Sequence, residues 1–324
     1  MAVDRVHLDG ILGSSCINPG PNMVTKTLPA GQTELPEPDD ADAAYRRLAP
    51  QHRSNSKFRE LEELVRIIET RSVTPVFQPI LAFGTGEILA YEGLIRGPET
   101  SILHTPTQLF DAATNAGLLT ELNMLCARKV VRQFARLGLK RQLFLNVTPQ
   151  TVLEVRDDVQ RITRFIRDCG IDIAQVTIEL TENQYISDRS IFRKALMLFR
   201  GAGFRVALDD LGEGFSSLRL WSELQPDFVK IDMHFVQGVS EDSVKYHFLK
   251  SMQHIAEGCG SSLVAEGVET VADFCILRDL GISNAQGFLI GRAAKQPSGL
   301  IPDQVSDLIG LGSASLFAGA PHQH

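Results

Sequence analysis

The sequence predicts an α/β fold, a modified (β/α)8 barrel with one antiparallel strand. Three observations carry this. Eight short apolar runs lie between residues 76 and 289, most of them separated by a longer stretch of helical periodicity. Those two periods alternate through about 240 residues, the size of one such barrel. The first two runs are joined only by FGTG (83–86), a hairpin turn signal, so one strand must run against its neighbour.

The elements follow in order. Residues 1–56 hold Pro19, Pro21, Pro29, Pro36 and Pro38, followed by Asp39, Asp40 and Asp42. Such a segment sustains no helix or central strand and buries little, so it reads as a tail or linker. Phe58, Leu61, Leu64, Val65 and Ile68 then space an amphipathic helix that opens the globular region, 57–300. The strand candidates are 76–83, 87–95, 143–147, 175–180, 205–210, 227–232, 262–267 and 284–289. The clearest helical stretches are 121–138, 191–203, 244–258 and 271–281. Residues 301–324 read as a short helix and a loose end. A doubly wound open sheet is the structural alternative, but no glycine-rich phosphate loop follows the first strand.

Composition narrows the function. The chain has 324 residues, 44% apolar and 22% charged, with 32 basic against 39 acidic side chains and a formal charge of -7. An acidic chain without a basic run does not suit a nucleic-acid polymer. It can take a phosphorylated small molecule if a metal supplies the positive charge. No run approaches the length of a membrane span, and the first thirty residues lack a secretory pattern. Cys16, Cys126, Cys169, Cys259 and Cys275 are widely spaced with no CxxC. They are expected to be reduced thiols in a cytoplasmic protein.

The chemistry lies at the strand ends. Successive C-terminal ends offer Glu92, Asn146, Glu179, Asp209 with Asp210, Lys230, Glu266 and Gln286. In a barrel these ends converge on one face, where active sites sit. One strand-end acid is ordinarily a solvated carboxylate or a helix cap; the whole succession points to a metal-dependent site. Carboxylates and an amide oxygen, without a His or Cys cluster, suit Mg²⁺ or Mn²⁺ rather than zinc. Adjacent Asp209 and Asp210 could reach two such ions, the arrangement that activates water for an in-line phosphoryl displacement. Lys230 could hold that water or offset the carboxylates. Gly212 and Gly214, in 209–218, read as a tight turn or as a mobile link from this site to another surface.

The strings YEGLIRG (91–97), LFLNVTP (143–149), ELTE (179–182), DDLGEGFSS (209–217), VKID (229–232), VAEGVET (264–270) and QGFLIGR (286–292) resemble the signature of EAL-domain phosphodiesterases. That family hydrolyses cyclic di-GMP to linear pGpG on a modified TIM barrel with an antiparallel strand. The resemblance implies that Glu92, Asn146, Glu179 and Asp209 hold one Mg²⁺ or Mn²⁺, and that Asp209 and Asp210 hold a second. It implies that Lys230 contacts the nucleophilic water, that Glu266 orients or deprotonates it, and that Gln286 lines the same centre. Arg96 matches an arginine that pairs with substrate phosphate; Gln78 and Leu94 match residues of the substrate groove. Glu182 matches a glutamate that anchors the 210–217 loop, which in the family couples the site to a dimer interface. A homodimer is the expected assembly, and an unidentified regulatory protein partner is a further possible input.

Departures from the family pattern are Gly93 in place of the signature alanine, Leu211, Glu213 and Phe215 in the loop, Leu81 and Ala82 after QPI, and Ala293 after QGFLIGR. None removes an implied metal ligand. Three alternatives remain: a catalytically inactive receptor for cyclic di-GMP, a protein-interaction domain that no longer binds nucleotide, and a different metal-dependent barrel enzyme.

Overall fold

The computed structural model describes residues 57–181, 188–211 and 217–315. Eight strands close into a barrel in chain order: β1 (Thr74–Ala82), β2 (Glu87–Arg96), β3 (Gln142–Asn146), β4 (Val176–Thr181), β5 (Arg205–Leu211), β6 (Phe228–Ile231), β7 (Ser262–Ala265) and β8 (Asn284–Ala285). Strand β1 is antiparallel to both β2 and β8, and every other pairing is parallel. The predicted hairpin is therefore the source of the single reversed strand. Helix α1 (57–70) precedes the barrel. Helices α2 (Pro106–Ala116), α3 (Leu119–Arg136), α4 (Pro149–Glu154), α5 (Val159–Asp168), α6 (Arg189–Gly201), α7 (Ser217–Leu224), α8 (Met233–Val236), α9 (Ser243–Cys259), α10 (Val271–Asp279) and α11 (Asp303–Ser315) follow. Among the described residues, no helix is long and apolar enough to cross a membrane.

Local chemistry sets several boundaries. Thr105 caps α2 in a reciprocal box with Gln108, Pro106 opens that helix, and Gly117 ends it in the left-handed region. Asp242 and Thr270 cap α9 and α10. The last strand is shorter than the run 284–289 suggests. A Cβ at Gly287 would lie 2.2 Å from the Val268 backbone nitrogen, so the chain turns against that segment instead of extending.

Two apolar layers hold the barrel. Outside it, the inner faces of the helices pack on outward-facing strand residues, as Phe134 of α3 does on Phe77 of β1 with ring centroids 6.0 Å apart. Inside it, Ile80, Ala90, Phe144, Ala207, Phe228 and Val264 form a separate plug. Phe144 and Phe228 meet within it with ring centroids 5.0 Å apart and planes tilted by 59°. Residues two apart on a strand share a face. Two steps beyond this plug, toward the C-terminal mouth, lie Glu92, Asn146, Asp209, Lys230 and Glu266, with Gln78 on reversed β1. Thr177 and Asn284 stand in the same relation to Glu179 and Gln286. The apolar plug is the dry floor of the polar layer above it.

Gly93 has the opposite orientation to Glu92 and faces α3. A Cβ there would lie 2.3 Å from Val130 Cγ1 and 3.4 Å from Leu143 Cδ1. Gly93→Ala is therefore expected to cost about 1–3 kcal/mol through overpacking. In thermal melts, Gly93→Ala/Val130→Ala should unfold at a higher temperature than Gly93→Ala alone, because the clash has one main partner.

Candidate active site

Lys230 is the hub of the barrel mouth. Its side chain is 2% exposed, and its ammonium reaches four carboxylates. Nζ is 2.8 Å from Glu266 Oε1, 3.1 Å from Asp209 Oδ1 and 3.5 Å from Glu92 Oε2, and it donates a short hydrogen bond to Glu179 Oε1. Glu92 is the second hub. Its Oε1 accepts from Asn146 Nδ2 at 3.1 Å and its Oε2 from Gln286 Nε2 at 2.6 Å. The site thus joins side chains from β2 to β6 and from the ends of β7 and β8.

Asp210 reaches this cluster through a backbone irregularity. Adjacent side chains of a regular strand point to opposite faces. Strand β5 breaks register with β6 between Leu208 and Leu211, and Asp210 takes a positive φ of 56°. At this bulge one oxygen from each of Asp209, Asp210 and Glu266 comes within 4.8 Å of the others.

Burial and crowding set the protonation of the cluster. Burial raises the Glu179 carboxyl well above the usual range, and repulsion from Glu92 adds to it against the pull of Lys230. Burial likewise raises Glu266, opposed by Lys230 and reinforced by Asp209 and Glu92. Burial pulls the Lys230 ammonium down, but Asp209, Glu179, Glu266 and Glu92 outweigh it and hold it well above the ordinary lysine value. Lys230 is therefore a fixed positive charge among carboxyls crowded enough to favour protonation of Glu179 and Glu266.

The donor set fits divalent cations. Glu179 Oε2, Asp209 Oδ1 and Gln286 Oε1 are buried and accept no hydrogen bond; Asp209 Oδ1 lies near Lys230 but receives no aligned N–H. A buried acceptor without a donor costs about 1–3 kcal/mol, and more when charged. A hard cation satisfies such oxygens, and an all-oxygen set matches Mg²⁺ or Mn²⁺.

The remaining predicted residues surround this centre. Gln78 pairs in register with Glu92 and donates from Nε2 to the Gly291 carbonyl at 3.2 Å. Leu94 and Arg96 share the Glu92 face of β2, farther toward the rim, and are half-buried. Glu182 and residues 212–216, Glu213 among them, lie outside the described residues. The sequence reading missed Asn123 of α3. It is buried, donates from Nδ2 to the Asn146 carbonyl at 3.2 Å and accepts from the Thr148 backbone N–H at 3.3 Å, fixing the end of β3. Its signal was an amide within the apolar stripe of Leu122, Cys126 and Val130. Cys126 itself is buried, which pushes its thiol up to about 12, so it is inert.

Known proteins resemble this chain in sequence and fold. The EAL domain family model matches residues 60–293. The chain is 29% identical over 278 residues to cyclic di-GMP phosphodiesterase PdeB of Shewanella oneidensis, covering 83% of this chain and 31% of that protein. It is 31% identical to Klebsiella pneumoniae BlrP1, solved as a manganese/cy-diGMP complex, with a TM-score of 0.64 over 69% of this chain and 56% of that one. A standalone EAL protein from Vibrio cholerae, solved in a c-di-GMP bound form, matches at 25% identity and a TM-score of 0.63, covering 72% of this chain and 97% of that one. The chain spans between 31% and 43% of the length of these curated relatives. A closed barrel with one reversed strand, an inward layer of acids around a lysine and a family match over most of the chain agree, and this chain belongs to the EAL domain family.

Proposed function

We propose that this chain is a metal-dependent phosphodiesterase that hydrolyses cyclic di-GMP to linear pGpG. The observation that carries the reading is the complete acidic ring around Lys230, with buried carboxylate oxygens that lack hydrogen-bond donors. The named relatives and the nucleotide complexes of similar proteins support it. Divalent cations, Mg²⁺ or Mn²⁺, would be held by Glu92, Asn146, Glu179, Asp209 and Asp210, and when bound would neutralise phosphoryl charge and acidify water.

The chain's own residues then have distinct tasks. Asn146 and Gln286 fix the Glu92 carboxylate from two sides. Lys230 steadies the attacking water and the surrounding acids. Glu266, at the end of β7, accepts the water's proton as the new P–O bond forms; the bond to the 3′ oxygen breaks in line, and the leaving alkoxide takes a proton from solvent water. Arg96 pairs with the phosphate that is not cut, and its planar fork suits that task better than an ammonium.

The test is incubation of the purified chain with cyclic di-GMP and Mg²⁺ or Mn²⁺, followed by chromatographic separation of nucleotides. We expect pGpG to accumulate and the reaction to stop on adding chelator. Saturable binding without product would make the chain a receptor instead.

A further inference from the structure

Beside the metal-type centre, the rim of the barrel carries a cleft of about 270 Å³ lined by Thr74, Val76, Arg96, Glu99, His104 and Lys295. It sits where β1 begins and β2 ends, since Thr74 pairs with Arg96 in register. Arg96 lies four residues beyond Glu92, or about 13 Å along the strand at its usual rise.

The loop supplying Glu99 is held from several sides. The Gly97 N–H bonds the His104 carbonyl at 2.9 Å, and the Ser101 N–H bonds the Pro98 carbonyl at 2.9 Å. His104 Nδ1 faces the carbonyls of Gly97 and Pro98 at 2.9 and 3.2 Å, so that nitrogen carries the proton and donates. Ser101 Oγ donates to Glu63 of α1 at 2.5 Å. Gly97 is needed for this closure, because a Cβ there would lie 2.1 Å from the Leu103 carbonyl oxygen. Across the cleft Lys295 Nζ lies 3.4 Å from Glu99 Oε1, and both side chains are largely exposed, 66% and 81%. An exposed pair of this kind contributes little to stability. It is, however, a carboxylate and an ammonium side by side on a fixed rim.

Arg96 answers to phosphate in this cleft, but the Glu99–Lys295 pair does not, because Glu99 would repel an anion beside it. The pair suits a guanine edge. On that edge the O6 acceptor is adjacent to the N1–H and 2-amino donors, so an ammonium and a neighbouring carboxylate meet them together. Adenine would set its amino donors against the ammonium and its N1 acceptor against the carboxylate. We propose that this cleft takes one base of the dinucleotide and that Glu99 and Lys295 are specificity-determining residues for guanine. The proposal rests on the phosphodiesterase reading above. Neither residue touches the carboxylate cluster, so neither belongs to the reacting centre.

The test compares the wild type with Glu99→Gln and Lys295→Met on cyclic di-GMP, its inosine analogue, which lacks the 2-amino group, and cyclic di-AMP. We expect Glu99→Gln to raise KM for cyclic di-GMP about tenfold with kcat within about twofold. A charged hydrogen bond of about 1.4 kcal/mol corresponds to that factor. The penalty should shrink on the inosine analogue, where the carboxylate has one donor fewer to lose, and Lys295→Met should narrow the preference over cyclic di-AMP. A wild type that turns over cyclic di-GMP, with both variants inside twofold of it on all three substrates, would overturn the base-reading proposal alone. A wild type that neither cleaves nor binds cyclic di-GMP would overturn the phosphodiesterase reading and this proposal with it.

Discussion

Glu92→Ala is expected to lower kcat for cyclic di-GMP by about a thousandfold or more at saturating Mn²⁺. The substitution removes an expected metal ligand and releases Asn146 and Gln286 at once, since both donate to that carboxylate. Loss of one such set of interactions is on the order of 4 kcal/mol of transition-state stabilisation, which corresponds to that factor. Folding should be little affected, because Glu92 adds to the repulsion that raises Glu179 and Glu266. A circular-dichroism melt beside the kinetic assay separates the two effects. Near-normal turnover at saturating metal would contradict the assigned role.

Lys230→Met should behave differently. It removes the ammonium that reaches Glu92, Glu179, Asp209 and Glu266 and leaves those acids facing one another in the barrel. Breaking a buried charged network by deleting one partner costs about 3–5 kcal/mol. For a domain of this size that is a fall on the order of 10 °C in the metal-free melting temperature. Turnover should fall by about a hundredfold or more, because the water loses its fixed cationic neighbour. Mn²⁺ should raise the melting temperature of Lys230→Met by more than that of the wild type, since added cations replace part of the missing charge. A metal-free melting temperature equal to the wild type's would mean that the acids release their charge by protonation and that Lys230 has no role in holding the mouth.

Much of this was legible in the chain because a strand's period of two is rigid. Once Ala90, Phe144, Ala207, Phe228 and Val264 face inward, Glu92, Asn146, Asp209, Lys230 and Glu266 must face inward as well. The hairpin was readable for a similar reason, since FGTG is too short for a crossover helix. What stayed hidden depends on contacts between distant segments. The end of β8 is set by the close approach of Gly287 to Val268, and the apolar run through Phe288 and Leu289 carries no sign of it. Gly93 looks like a minor change beside Glu92, but it faces away from the site and makes room for Val130. The bulge that brings Asp210 to Asp209 is a backbone event with no glycine to announce it. Glu99 and Lys295, 196 positions apart, become neighbours only when β1 closes the barrel.

The central claim is that the inward polar layer at the barrel mouth is a divalent-metal centre. Anomalous diffraction at the manganese edge, from crystals grown with Mn²⁺, tests it most directly. The account predicts peaks at the barrel mouth, one bounded by Glu92, Asn146, Glu179 and Asp209 and one beside Asp209 and Asp210. A mouth without any peak at millimolar Mn²⁺, with the Lys230 ion pairs intact, would contradict it.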